Sequence, residues 1–367
     1  MTRMDDPAPA RSPGGDRAGA LGETPRPRLS DIQRARGVIA SHLIRSPLER
    51  SPILSRELEA DVYLKLETVH PTRAFKVRGA LNKLASLRAN PVLRARGVVA
   101  ASAGSHAQGV AFAAWRLGMP ATVVMPRGVS ETIVNVCRAY GAKVLLEGEV
   151  YDDTLAAAHD IERRAGKTFI HPYADPPIIA GQGTIGLEIL DELPEADLVV
   201  VPVGGGGLIG GIATAVKESG APAKVYGVEP EGADAVGRSL AAGKVVTLPR
   251  PHSIADKLVA KSTEPANVAL IRRYVDGMVT VSDDAIADAM YLYLEKLSLL
   301  VEGAGAASLA AARSGAVDVR GKKVVLVVSG GNAPATLLAK IVEERAPAPT
   351  GPLRRPGRSP GAAVRAR

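Results

Sequence analysis

Residues Leu198-Val199-Val200-Val201-Pro202-Val203-Gly204-Gly205-Gly206-Gly207-Leu208-Ile209-Gly210-Gly211-Ile212-Ala213 read as an apolar strand, a glycine turn and an apolar helix. Consecutive glycines let backbone N–H groups approach an anion closely, and the helix that follows presents its positive end. The turn is therefore a phosphate cradle on an α/β unit. Leu198–Val216 holds 19 residues without a charge, near the lower limit for crossing a bilayer. Pro202 and the four glycines break it as a continuous helix, so a buried strand, turn and helix explain it better. Gly205 to Gly210 also satisfy G-x-G-x-x-G, and Glu229 ends the next strand about 20 residues on, the form of a dinucleotide site. A nicotinamide-type oxidoreductase is thus one alternative, but it leaves two other segments without a role.

The first of these is His70-Pro71-Thr72-Arg73-Ala74-Phe75-Lys76-Val77-Arg78-Gly79-Ala80. A Pro-Thr turn delivers an aromatic residue and a lysine at the mouth of an amphipathic helix, with Leu81 and Leu84 beyond and an end near Arg88. Among apolar neighbours a lysine loses hydration as a cation. Its pKa falls, and it becomes a nucleophile able to form a Schiff base with a carbonyl cofactor. Taken alone, Lys76 is equally readable as a solvated first-turn residue. The second segment is Ser102-Ala103-Gly104-Ser105-His106-Ala107-Gln108-Gly109, between a strand and a helix. Small residues there leave N–H groups free for a carboxylate, although an ordinary turn has the same form. Finally, Val328-Ser329-Gly330-Gly331-Asn332 closes the last apolar strand, where open α/β sheets place their ligands. Ser329 could face a heterocyclic nitrogen without carrying charge.

The spacing predicts two sets of strands. Val98–Ala101, Ala121–Met125, Lys143–Leu146 and Phe169–Ile170 alternate with helices, and so do Asp197–Val203, Val225–Glu229, Met278–Val281 and Val324–Val328. Asp61–Glu67 alternates as a further strand, and Ser30-Asp31 caps a first helix. Strand–helix alternation implies parallel sheets with crossover helices, here two open parallel-sheet domains with helices on both faces. A chain of 367 residues exceeds the size at which one core stops growing. We expect a large domain from residues 29–95 and 174–345, a small domain from 96–173, and tails at 1–28 and 346–367 that are too polar and Pro/Gly-rich to order.

The net charge of +8 misleads, because the five arginines of 346–367 supply +5 and residues 1–28 add +1, leaving +2 for the body. That excludes a basic nucleic-acid-binding face. The single cysteine, Cys137, cannot form an intrachain disulfide, which fits a cytoplasmic protein.

Together, PTRAFKVRGA, SAGSHAQG, IAGQGTIGLEI (179–189), VPVGGGGLIGGIA, YGVEPEGA, VEGAGAA and SGGN resemble the fold-type-II pyridoxal-phosphate enzymes, in the threonine/serine dehydratase and serine racemase branch. The resemblance runs from about Ser30 to Glu344 and implies a tryptophan-synthase-beta-like fold and a homo-oligomer. It implies that Lys76 carries pyridoxal 5'-phosphate, with Phe75 against the ring and Gly204, Gly205, Gly206 and Gly207 on the phosphate. Ser329 would meet the ring nitrogen, with Glu302 nearby, and Ser102, Ala103, Gly104, Ser105 and His106 would receive the substrate carboxylate. The implied reaction is β-elimination from a small β-hydroxy amino acid such as threonine or serine, giving a 2-oxo acid and ammonia. β-Replacement and a catalytically lost cofactor-binding protein are the alternatives.

The chain departs from that branch at several points. Ser105 stands where relatives have the asparagine that holds the ring's phenolic oxygen, and Lys257 stands where they have a glycine flat on the ring. Lys257 must either swing outward or bring a second cation into the site. Ala103 replaces the serine that racemases use on the opposite face. Ala235 replaces one acid of a divalent-metal site otherwise matching Glu229 and the Ala233 carbonyl, so no metal is expected.

Overall fold

The computed structural model describes residues 26–347, so nearly all of both expected tails lies outside the described residues. Among the described residues, ten strands form two sheets. In chain order they are β1 (Leu48–Arg50), β2 (Asp61–Leu66), β3 (Val98–Ala101), β4 (Ala121–Met125), β5 (Lys143–Leu146), β6 (Thr168–Phe169), β7 (Leu198–Pro202), β8 (Lys224–Pro230), β9 (Gly277–Val281) and β10 (Lys323–Val328). The larger sheet has the order β1-β2-β10-β7-β8-β9 and the smaller β5-β4-β3-β6. Every pairing is parallel except β1 with β2.

Alternation along the strands explains why both faces of the larger sheet are covered. Leu198, Val200, Val324, Leu326 and Val328 enter one core with Ile286, Met290, Tyr293 and Leu309 of two following helices. Their neighbours Val199, Val201, Val325 and Val327 enter another, with Ile209, Ile212, Leu270 and Ile271. Strands buried on both faces lose the polar alternation of a half-exposed strand, hence LVVVP and VVLVV. Val98, Ala100, Val123 and Met125 of the smaller sheet share a third core with Val77, Ala80, Leu81 and Leu84 of the Lys76–Arg88 helix and with Ile178 and Ala180.

Two local expectations change, and one unexpected strand appears. β1 has no apolar run of its own and is held by antiparallel pairing to β2. The first helix starts at Leu29, with Arg28 as its cap residue. Asp31 sits three residues in, where its carboxylate accepts from the Arg28 N–H at 2.8 Å, so it serves as the return arm of the cap and Ser30 does not cap. The fourth small-sheet strand pairs through Thr168 and Phe169, and Ile170 lies past its end.

Candidate active site

The site lies at the carboxyl ends of β3, β7 and β10, where the chain leaves each strand into a glycine-bearing turn. The Lys76 segment reaches it by lying along the turn after β10. Phe75 N–H donates to the Ser329 carbonyl at 3.1 Å, and Gly331 N–H donates to the Arg73 carbonyl at 2.9 Å. Ala74 and Gly330 form an isolated antiparallel bridge. Asn332 Nδ2 donates to the Thr72 carbonyl at 2.9 Å and to Ser105 Oγ at 3.2 Å, tying the start of the Ser105–Leu117 helix to both motifs. Arg73 takes a φ of 54°, left-handed backbone that costs a non-glycine residue about 1–3 kcal/mol and that this lattice of bonds maintains.

Below the turn, Arg78 fixes the Lys76 helix. Its guanidinium donates to Glu67 (2.7 and 2.9 Å), Glu188 (2.7 and 2.9 Å), Thr184 (3.1 Å) and Ser46 (3.0 Å). Lys65 completes the cluster, 2.8 Å from Glu188. All four charges are buried and all are compensated. The Ser105–Leu117 helix then packs close: a Cβ on Gly109 would lie 3.2 Å from the Lys76 carbonyl carbon, so the second glycine of SAGSHAQG lets the two helix backbones meet.

Lys76 is partly buried, and its Nζ donates to the Pro172 carbonyl at 2.8 Å. Loss of hydration pushes its pKa down to about 8, against the charge of Glu302, which pulls the other way. The amine lies 5.2 Å from the centre of the Phe75 ring. Glu302, the cap residue of the Gly303–Arg313 helix, is buried against the turn after β10, its N–H donating to the Gly330 carbonyl at 3.1 Å; burial pushes its carboxyl up to about 7, and Lys257 opposes that rise. Its Oε2 has no hydrogen-bond partner among the described residues.

The glycine run is a cradle that admits no side chain. A Cβ on Gly205 would collide with the Tyr173 ring, and one on Gly207 with the Tyr173 carbonyl. A Cβ on Gly204 would lie 3.2 Å from the Lys257 carbonyl oxygen. Gly206 has a φ of 90°, open to glycine at no strain. Thr263 Oγ1 and Asn267 Nδ2 brace the loop from outside through the Gly205 carbonyl, at 3.0 and 2.6 Å. The Gly207–Glu218 helix begins here, so its first N–H groups face the cradle.

In the carboxylate loop, Gly104 N–H donates to Ser102 Oγ at 3.1 Å. Ala103 is exposed, and Ser105 and His106 are buried at the helix start. His106 Nε2 donates to the Ile170 carbonyl at 2.9 Å. Burial, then the charge of Lys76, pushes its pKa down to about 3, so the ring stays neutral. Its side chain is committed, and His106 offers an anion only its backbone N–H. Lys257 reaches inward: its Cε lies 3.7 Å from the Cβ position of Gly104, and its side chain is 18 % exposed. Contacts thus link the Thr72–Lys76 segment, the Ser329–Asn332 turn, Gly104 and Ser105, Lys257 and Gly204, whereas Ala103 is exposed and Cys137 packs in the core shared with the smaller sheet.

Several partners had no recognisable motif. Pro172, Tyr173 and Thr263 enter through loops and Asn267 from the Pro265–Tyr274 helix; the position of Pro172 and Tyr173 just past the Thr168–Phe169 strand is a signal that could have found the first two. Glu229 also behaves differently from a ribose-binding acid. Its carboxylate accepts from Val236 and Gly237 N–H at 2.9 and 2.7 Å, at the start of the Ala235–Ala242 helix. The dinucleotide alternative thereby loses its acid. Asp234, beside the absent metal ligand, is paired with Arg238.

These residues fit a phosphorylated aldehyde: a primary amine of lowered pKa, a glycine turn open to an anion, and an uncharged, buried serine just past the end of β10. The family described as pyridoxal-phosphate dependent enzyme matches residues 39–330. L-threonine ammonia-lyase of Thermotoga maritima is 43% identical over 316 residues, 86% of this chain and 78% of that protein. Among solved structures, maize serine racemase has a TM-score of 0.82 at 34% identity, covering 87% of this chain and 97% of its own. The processed form of threonine deaminase isoform 2 from Solanum lycopersicum has 0.80 at 33%, covering 91% and 99%.

Proposed function

The chain belongs to the pyridoxal-phosphate dependent enzyme family, and from that premise we propose that it is a lyase deaminating a small β-hydroxy amino acid such as threonine or serine. The products are a 2-oxo acid and ammonia; the water lost from Cβ is regained on hydrolysis. The observation that carries the reading is the Lys76 amine, with its pKa lowered to about 8, between a phosphate cradle and a carboxylate loop. The 43% identity to an L-threonine ammonia-lyase supports the choice of substrate.

Bound pyridoxal phosphate supplies an electron sink that makes the Cα–H of an attached amino acid removable. The N–H groups of Gly204 to Gly207 would hold its phosphate, Phe75 would flank its ring and Ser329 would face the ring nitrogen. Backbone N–H groups at Ser105 and His106 hold the substrate carboxylate and so turn the Cα–H toward Lys76. The Lys76 amine, once free, takes the Cα proton as a general base.

We also place the enzyme in the cytoplasm as a homo-oligomer, with a large domain of 29–95 and 174–345 and a small one of 96–173. The lone cysteine supports the compartment, and among the described residues no helix is long and apolar enough to cross a membrane. The two separate sheets support the division, and light scattering measures the assembly. The decisive experiment is assay of threonine, serine and 3-hydroxyaspartate for 2-oxo acid and ammonia, with Lys76→Ala as control. New amino acids formed only on adding nucleophiles would replace elimination with β-replacement.

A further inference from the structure

The side chain of Lys257 spans from the Asp256–Leu258 turn to the carboxylate loop. Among the described residues its hydrogen bonds go to the two oxygens of Asp256, both at 2.9 Å. Glu302 Oε2 is 3.7 Å away, beyond hydrogen-bond length. An ammonium carries three donors, so a donor remains at the mouth of the site. The neighbouring acids do not cancel this cation. Asp256 is 60 % exposed, and a pair with so exposed a partner is weak and readily exchanged. Burial raises the Glu302 carboxyl to about 7, so near neutrality it carries only part of a charge.

A carboxylate already has a place at the N–H groups opening the Ser105–Leu117 helix. Lys257 adds a cation beside the same loop, its Cε 3.7 Å from the Cβ position of Gly104. Two anion-binding groups this close suit a ligand with two anionic groups. Resting on the elimination reading above, we propose that Lys257 is a specificity-determining residue that binds a second carboxylate on the substrate side chain, so that the preferred substrates are acidic β-hydroxy amino acids of the 3-hydroxyaspartate class. The α-carboxylate takes the helix N–H groups, and the side-chain carboxylate replaces Asp256 on the ammonium.

The test compares two amino acids without a β leaving group, L-aspartate and L-alanine, binding to cofactor-loaded protein by titration calorimetry and by change in cofactor absorbance. The expected result is aspartate binding at least tenfold tighter than alanine, about 1.4 kcal/mol. Lys257→Met should abolish that preference while alanine still binds, and Lys257→Arg should keep most of it. In turnover, kcat/KM for 3-hydroxyaspartate should exceed that for serine in the wild type and fall selectively in Lys257→Met. Equal weakening of aspartate and alanine would assign Lys257 to the α-carboxylate or the cofactor and overturn the proposal, as would no preference in the wild type. Alanine binding by each variant shows that it is folded. Borohydride reduction reports the underlying reading separately: no label on Lys76 removes the elimination reading, whereas a label on Lys76 without aspartate preference removes only the role of Lys257.

Discussion

Substituting Glu302→Gln tests whether the site keeps Lys76 as a neutral nucleophile by withdrawing it from water. At its ordinary pKa of about 10.4, a lysine is neutral in only about one molecule in 2,500 at pH 7. At about 8, the value in this fold, roughly one in eleven is neutral, some 200-fold more. Burial produces the drop, and the Glu302 charge limits it, so removing that charge should move the Lys76 titration further down. The assay is the pH dependence of acetylation at Lys76 in cofactor-free protein, read by peptide mass spectrometry against the exposed Lys340. The wild type should inflect near pH 8 and Glu302→Gln below that, while Lys340 serves as a reference in both. A Lys76 inflection near 10, or a rise in Glu302→Gln, would refute the reasoning, since either would mean that water or another carboxylate solvates the amine.

Three further outcomes follow from the packing. Arg78→Met leaves Glu67 and Glu188 buried with Lys65 as their remaining strong cation, and urea unfolding should show a loss of about 3–5 kcal/mol. Glu229 and Glu302 are both raised by burial, to about 7. Their contribution to stability is full below about 4.5 and is lost as pH rises through 7, so Glu229→Gln should flatten the decline in unfolding midpoint across that window. Gly205→Ala forces a methyl group into the Tyr173 ring and should cost about 1–3 kcal/mol, with weaker retention of the cofactor on dialysis.

The strands and their parallel order were legible because full burial leaves runs such as LVVVP and VVLVV, whose periodicity owes nothing to distant residues. The glycine run was equally legible as a strand-to-helix turn, and its positions exclude side chains because the Tyr173 ring and carbonyl stand where Cβ atoms on Gly205 and Gly207 would lie and Gly206 has a φ of 90°. Lys76 was readable only as a candidate, since a solvated first-turn lysine fits the same amphipathic helix, and its burial was decided by folding. β1 was invisible, since three residues without an apolar run take their conformation from pairing with β2. The direction of Lys257 could not be read from the chain either. Whether it turned outward or inward depended on the Gly104 backbone and on Asp256 and Glu302, the latter brought together with it only by folding. Pro172 and Tyr173 join the site through backbone carbonyls, which any residue type can supply, and Thr263 and Asn267 through side-chain bonds to the Gly205 carbonyl that no local pattern announces. Tertiary structure decided those positions, because a pKa, a cradle wall or the reach of a side chain is a property of neighbours distant in the chain.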